Sequence, residues 1–186
     1  MNEVLKYIEA RRSIRVYKTE QIKEEELQAI LRAGMYAPSA MNQQSWHFTI
    51  IQNKGVVDKI NQTCKELLRK SSDKNLQQRA GNESYHVFYN APTVIIVSGD
   101  EKAIMPHTDC AAATENMLIA SESLGIGSCW IGIAAFLFNT QEGDVLKKEL
   151  GIPEGFKPLY IAAFGYKGIE SPMAAPRREN TVNYIK

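Results

Sequence analysis

The 186-residue chain has the length of one domain and is long enough to bury a hydrophobic core. Its net charge of +1 argues against a nucleic-acid surface, and its longest apolar runs fall far short of the roughly 20 residues that a membrane helix needs. Three cysteines without disulfide-like spacing, and no signal peptide before the amphipathic first residues, predict a reduced, soluble, cytoplasmic protein.

The first half of the chain is predicted to form three helices and one strand. Apolar residues at helical spacing indicate a first helix that Asn2 caps and that ends at Arg11. A second helix ends before Pro38, and a polar loop then leads into the strand "SWHFTII", whose apolar residues alternate along it. A third helix carries its apolar residues from Val56 to Leu68.

The second half is predicted to contain the centre of the sheet. Residues 70–84 are polar and lack apolar periodicity, so we expect a mobile surface loop there. The continuous apolar run "APTVIIVSGD" indicates a central strand that is buried on both faces. An alanine-rich helix, expected near the molecular centre, ends at Gly125. A strand, a helix and another strand then follow as "IGSCWIGI", "TQEGDVLKKELGI" and "FKPLYIAAFGYKG".

The last 19 residues, 168–186, form a tail of different character. The tail ends in the strand-like "TVNYI", for which the chain offers no local partner, and we expect it to dock on another subunit. Because helices and strands interleave without βαβ regularity, the sequence predicts an α+β fold with a mixed sheet.

Three arginines and a serine crowd the predicted end of the first helix. They are Arg11, Arg12, Ser13 and Arg15. A solvated basic helix end that complements the helix dipole is one explanation. The other is an anion site, since forked guanidiniums and a hydroxyl can bind a phosphate monoester through several charge-assisted hydrogen bonds. Arg177 and Arg178 in the tail form a second basic pair.

The polar loop after the second helix is another candidate site. Pro38 ends the helix, and Ser39, Asn42 and Gln44 offer hydrogen-bond donors and acceptors. Such residues often form a turn that satisfies its own backbone, and a contact with a ligand is the alternative.

Other catalytic arrangements find no support in the sequence. The glycines of "GIGSCWIG" close a helix and enter a strand, unlike those of a dinucleotide-binding loop, and no P-loop or GxSxG motif occurs. The three histidines lack metal-ligand spacing, and Cys129 is expected in a buried strand. Asp109 and Glu115 are expected to be a helix cap and a solvated side chain. Anion-binding groups without an evident acid, base or nucleophile favour chemistry that belongs to a bound cofactor.

The ordered motifs of the chain resemble those of the FMN-dependent nitroreductases. They are "RRSIRVY", "APSAMNQQSWHF", "AAATENMLIASESLGIGSCWIG", "LGIPEGFKPLYIAAFGY" and a late "PRR". This resemblance implies one domain, residues 1–186, with a mixed, mostly antiparallel sheet flanked by helices. It also implies an intertwined homodimer with FMN at the interface, in which the extension 168–186 docks on the partner subunit.

The resemblance assigns FMN contacts to four groups of residues. The phosphate and one edge of the flavin would be held by Arg11, Arg12, Ser13 and Arg15, with Arg177 or Arg178 as a late phosphate contact. The loop that one subunit extends over the flavin of the other contains Pro38, Ser39 and Asn42. The strand end from which a backbone N–H would reach flavin N5 contains Cys129, Trp130, Ile131 and Gly132. Arg15 is the candidate that stabilises the negative charge of the reduced flavin.

The implied activity is an FMN-dependent oxidoreductase. It would take hydride from NADH or NADPH and reduce nitroaromatics, quinones or similar small acceptors by a ping-pong mechanism, without a catalytic side chain. One branch of the family has a glutamate just after the strand end, where this chain has Gly132 and Ile133, so the nicotinamide contacts of that branch are not expected. A non-catalytic FMN-binding or sensing module and a specialised flavin oxidoreductase of the same family stay open as alternatives.

Overall fold

The structure, a computed structural model, describes residues 2–186 as helices on both sides of one sheet. The helices are α1 (Glu3–Ala10), α2 (Glu24–Met35), α3 (Lys54–Arg69), α4 (Lys74–Gly81), α5 (Pro106–Ser123) and α6 (Gln141–Glu149). The strands are β1 (Trp46–Ile51), β2 (Thr93–Asp100), β3 (Ile126–Trp130) and β4 (Phe156–Tyr166). Two 3₁₀ segments span Ala40–Asn42 and Ile133–Asn139.

The strands follow the order β1-β2-β4-β3 across the sheet, and each neighbouring pair is antiparallel. Ser13, between α1 and α2, adds an isolated parallel bridge to Ser128 of β3. The expected α+β class with a mostly antiparallel sheet is therefore confirmed. The predicted central strand is β2, which has a partner on each side and is buried along nearly its whole length.

Two hydrophobic clusters lie on opposite faces of the sheet because successive strand side chains point to opposite sides. Ile95 and Val97 of β2 pack under α2 and α5. Val94 and Ile96, which alternate with them, belong to the cluster under α3, α4, α6 and the second 3₁₀ segment. Strand β2 is therefore buried on both faces, as predicted, and it separates the core into two halves.

Two helices leave apolar surface uncovered within one copy of the chain. The predicted apolar face of α1 is exposed, with Val4, Leu5 and Ile8 at 60%, 52% and 46% exposure. On α5 one face is buried against α2 and the sheet, whereas Ile119 and its neighbours on the other side are only half-buried. Contiguous apolar surface of this kind is typical of an interaction site.

The expectation of a surface loop over residues 70–84 was wrong, because these residues contain α4. The Asp73 carboxylate caps this helix by accepting from the backbone N–H groups of Asn75 and Leu76. One turn apart, Leu76 and Ala80 pack against the core, and Ala80 is fully buried. A single cap and one apolar pair give too little periodicity for a prediction from sequence.

The tail, residues 168–186, is exposed and contains no helix or strand. Its strand-like end, 181–185, pairs with no strand within residues 2–186, and its docking on another subunit stays a prediction. No helix within residues 2–186 combines the length and the hydropathy needed to cross a membrane.

Candidate active site

The basic residues after α1 lie against the end of β3. The chain leaves α1 at Arg11, and the N–H of Ile14 donates to the carbonyl of Ser128 at 2.9 Å. Gly127 permits this approach, since a Cβ there would lie only 3.0 Å from Cβ of Ile14. We call Arg11, Arg12, Ser13 and Arg15 the basic cluster.

Arg11 and Arg12 have different surroundings. Arg11 Nε lies 3.6 Å from a carboxylate oxygen of Glu115 on α5. Arg12 turns back onto α1, where its Nη1 donates to the carbonyls of Glu9 and Arg11 at 2.7 and 2.6 Å. The explanation as a basic helix end therefore holds for Nη1 of Arg12, which is bonded to these carbonyls. Its Nε, however, is buried without a hydrogen-bond partner in the described chain, which leaves one donor for a ligand.

Cys129 lies beside the basic cluster. Burial raises the pKa of its thiol, and the nearby guanidiniums of Arg15 and Arg11 and a hydrogen bond with Ser13 oppose this effect. The Cys129 side chain is therefore a neutral, buried group rather than a nucleophile, as the sequence indicated. Its position shows that the structure brings Arg11, Ser13 and Arg15 to one place at the sheet edge.

The strand end offers backbone rather than side chains to an open surface. Cys129 and Ile131 are buried, and Trp130 is half-buried against Tyr160. The N–H of Ile131 already donates to the carbonyl of Ile161 at 2.8 Å, so it is not free for a ligand. Gly132 is exposed, and a Cβ built on it would meet no atom within 4 Å.

The polar loop, residues 38–45, is held in an unusual conformation. Met41, Asn42 and Gln44 have φ values of 50°, 55° and 49°, in the left-handed region that residues other than glycine rarely adopt. Ser39 Oγ accepts from the N–H of Gln44 at 2.9 Å. Such strain persists only where surrounding contacts enforce it, and it often occurs at functional sites.

Asp109 supplies those contacts, and its expected role as a helix cap was wrong. Helix α5 begins at Pro106, so Asp109 lies inside its first turn and faces the loop. Its buried carboxylate accepts from the N–H of Ala40 at 3.0 Å and from the hydroxyl of Ser45 at 2.8 Å. The expected solvated side chain, Glu115, is half-buried and paired with Arg11.

The structure does not join all the predicted site residues within one chain. No hydrogen bond or ion pair in the described residues connects the basic cluster with the polar loop or with Arg177 and Arg178, which lie in the exposed tail. Of three cavities of about 340, 590 and 390 Å³, none is lined by the basic cluster, and only the third is lined by a residue of the polar loop, Gln44. The basic cluster thus faces an open surface of the single chain.

Two residues near the site were missed or misassigned from sequence. Tyr89 contacts Arg15, whose guanidinium carbon lies 5.7 Å from the Tyr89 ring centroid. The turn-forming "YNAP" before β2 is the only local signal for it. Asp109 was assigned to the wrong role because its partners, Ala40 and Ser45, are distant in sequence. No group of three or more metal-ligating side chains occurs within residues 2–186.

Comparisons with known proteins agree with this architecture. The sequence model of the Nitroreductase family matches residues 8–166. A relative from Archaeoglobus fulgidus, provisionally named as an NADH dehydrogenase/NAD(P)H nitroreductase, is 37% identical over 171 residues, which cover 89% of this chain and 86% of the relative. A nitroreductase from Bacteroides fragilis, solved with bound FMN, is 40% identical with a TM-score of 0.91 and complete coverage of both chains. A second, from Desulfitobacterium hafniense, also solved with bound FMN, is 30% identical with a TM-score of 0.90 and complete coverage of both chains.

These matches extend over most of the chain and include the basic cluster, the polar loop and the strand end. The expected resemblance is confirmed, and the chain belongs to the nitroreductase family.

Proposed function

We propose that this protein is an FMN-dependent oxidoreductase that takes reducing equivalents from NAD(P)H and passes them to small electron-poor acceptors such as nitroaromatics or quinones. The observation that carries the proposal is the basic cluster, fixed by a backbone hydrogen bond to the end of β3 beside the open surface at Gly132. The bound FMN of the Bacteroides fragilis relative and the NAD(P)H in the name of the Archaeoglobus fulgidus relative support it.

The residues of the basic cluster fit the phosphate and the ring edge of FMN. Three guanidiniums and the Ser13 hydroxyl match the charge and the acceptor oxygens of a phosphate monoester. The buried, unpartnered Nε of Arg12 is a donor that such a ligand would satisfy. No other cluster in the described chain combines three arginines with an unsatisfied buried donor.

When bound, FMN supplies a ring that accepts hydride from NAD(P)H and returns two electrons to an acceptor. The protein's own contributions are binding and electrostatics. Arg15 holds a positive charge beside the strand end and favours negative charge on the ligand there. The exposed Gly132 leaves room for a flat ring to approach the backbone, where its N–H is a candidate donor. No side chain of this chain is required as a nucleophile or proton donor.

The proposed active assembly is a homodimer in which each site combines two copies of the chain. The exposed apolar face of α1 and the 84% exposed Met41 at the tip of the polar loop are surface that a second copy would cover. Pro38, Ser39 and Asn42 of one copy would then extend over the ligand of the other. The extension 168–186, with Arg177 and Arg178, would dock on the partner's part of the single domain 1–186.

Absorbance and anaerobic reduction test the proposed activity. Purified protein should carry flavin absorbance or acquire it with added FMN, and NADH or NADPH should bleach that absorbance without oxygen. Re-oxidation by a panel of quinones and nitroaromatics then identifies the acceptors. A protein that does not bind FMN refutes the proposal. A protein that binds FMN, but whose flavin is reduced by neither NADH nor NADPH, is a binding module.

Mixed dimers test whether the two halves of each site come from different chains. Arg11→Ala damages the basic cluster and Asn42→Ala damages the loop, so each variant alone should bind FMN weakly. In a mixed dimer one site combines the intact cluster of one chain with the intact loop of the other. Random mixing should therefore restore about one quarter of the sites. Tagged copies verify that mixed dimers have formed. If these mixed dimers restore no FMN binding, both halves of the site belong to one chain.

A further inference from the structure

The segment before β2, residues 82–91, is pinned to helix α3 by polar side chains on one face of that helix. They are Asp58, Asn61 and Lys65, at spacings of three and four residues, which lie above one another on a helix. Together they hold a stretch of chain that contains no helix or strand of its own after the end of α4.

Lys65 and Asn61 fix the first part of this segment. Lys65 is buried, and its Nζ donates to the carbonyls of Asn82 and Tyr85 at 2.8 and 3.0 Å. Asn61 Oδ1 accepts from the N–H of Val87 at 2.8 Å. A buried ammonium needs such oxygen partners, so the positions of these carbonyls are tightly constrained.

His86 fixes the turn that follows. Its Nδ1 accepts from the N–H groups of Phe88 and Asn90 at 3.1 and 3.3 Å, and its Nε2 lies 3.5 Å from a carboxylate oxygen of Asp58. Within this turn Tyr89 and Asn90 both have φ of 54°. Two consecutive left-handed residues, neither of them glycine, are costly and need this support.

The turn places the Tyr89 ring beside Arg15. The guanidinium carbon of Arg15 lies 5.7 Å from the centroid of this ring, which is a cation–π contact, and Tyr89 is the main cause that raises the pKa of Arg15. No Asp or Glu within residues 2–186 forms an ion pair with Arg15, so Tyr89 orients the guanidinium without neutralising it. Tyr17, the other tyrosine nearby, donates its hydroxyl hydrogen to the carbonyl of Ile14 at 2.7 Å instead.

We propose that Tyr89 is a positioning residue that fixes the Arg15 guanidinium for the charge of reduced FMN, and that the strained turn held by His86 serves to place it. This inference rests on the proposed function. An arginine held by a neutral aromatic ring keeps its full charge and loses less freedom when the ligand binds, whereas a carboxylate partner would cancel part of the charge.

The aromatic ring of Tyr89 can be removed while an apolar side chain is kept at this position. In Tyr89→Leu the contact of the ring with Arg15 is lost, and Tyr89→Phe, which keeps an aromatic ring there, is the matched control. We expect the ratio of affinities for reduced over oxidised FMN to fall roughly tenfold in Tyr89→Leu, which is a shift of about 30 mV for a two-electron couple. Tyr89→Phe should leave the measured potential at the wild-type value.

A double-mutant cycle shows whether Tyr89 acts through Arg15. Added to Arg15→Gln, the change Tyr89→Leu should shift the potential no further. Equal potentials for Tyr89→Leu and wild type, or equal shifts with and without Arg15, would overturn the inference. If wild-type protein binds no FMN, the proposed function fails first and this inference fails with it. If the wild-type protein binds FMN and Tyr89→Leu has the same potential, this inference alone is refuted.

Discussion

Replacing Asp109 by alanine is expected to destabilise the folded protein through loss of the polar loop's anchor. The buried carboxylate accepts two hydrogen bonds, from Ala40 and Ser45. Hydrogen bonds to a charged group contribute about 1.5–3 kcal/mol each, and the two donors would be left unsatisfied. We therefore expect a loss of at least about 3 kcal/mol, or a Tm about 6–12 °C lower for a chain of this size.

The conservative change Asp109→Asn is the matched control. The asparagine oxygen can still accept from Ala40, and its NH₂ group can donate to the Ser45 hydroxyl, so both contacts survive without charge assistance. We expect a loss of about 1 kcal/mol, or about 2–4 °C in Tm. In the proposed homodimer the loop would contact the ligand of the partner subunit, so Asp109→Ala should also weaken FMN binding more than Asp109→Asn.

Thermal unfolding of both variants at one fixed protein concentration is the assay, because association shifts the apparent stability. A buried carboxylate without partners would be destabilising, and its replacement by alanine would then raise the Tm. A Tm of Asp109→Ala equal to or above that of wild type would therefore refute the assignment of Asp109 as the anchor.

Three other substitutions test the remaining polar groups. Arg11→Ala should weaken FMN binding by about 1.5–3 kcal/mol, the scale of one charge-assisted hydrogen bond, whereas Arg69→Ala on the exposed end of α3 should not; equal affinities in titration would remove Arg11 from the site. Lys65→Met should lower the free energy of unfolding by roughly 2 kcal/mol in urea titrations, since its carbonyl partners lose their donor; unchanged stability would contradict the pinning of residues 82–91. Burial lowers the pKa of His86 despite the opposing effect of Asp58, so folding favours the neutral imidazole and stability should fall as pH drops below the ordinary value of about 6.5. His86→Asn should flatten that slope between about pH 7 and 5, and a slope equal to that of wild type would argue against neutral His86 as the support of the turn.

The sequence predicted those parts of the fold that depend on local pattern. Helix α2 has a clear apolar periodicity and strand β2 is a continuous apolar run, and the structure has both where they were expected. Helix α4 depends on one cap and one buried pair, so its pattern resembles that of a polar loop. Apolar periodicity in a sequence arises where one face of a segment is buried. A short helix on the polar exterior buries too few apolar residues to produce a recognisable pattern.

The candidate site likewise has one part that the local sequence predicted and another part that it did not. The basic cluster is local, because its members lie within five positions of one another and the end of α1 orients them. Asp109 and Tyr89 act through partners that only the tertiary structure brings near. Their residue types did not indicate these roles. An aspartate in a first helical turn commonly complements the helix dipole, and a tyrosine before a strand commonly packs in the core.

Helix α5 contacts the polar loop and the basic cluster of its own chain at two different places. Asp109 anchors the polar loop in the first turn of α5, and Glu115 meets Arg11 six residues later, about 9 Å further along the helix axis. The loop cannot move toward the basic cluster of its own chain while both hydrogen bonds to Asp109 persist. In the proposed homodimer a second copy would bring its loop without breaking them, because two-fold symmetry would place the same two surfaces opposite each other. The anchored loop and the exposed face of α1 are both consistent with this arrangement, in which the contacts that hold the loop within its own chain would also present it to the partner.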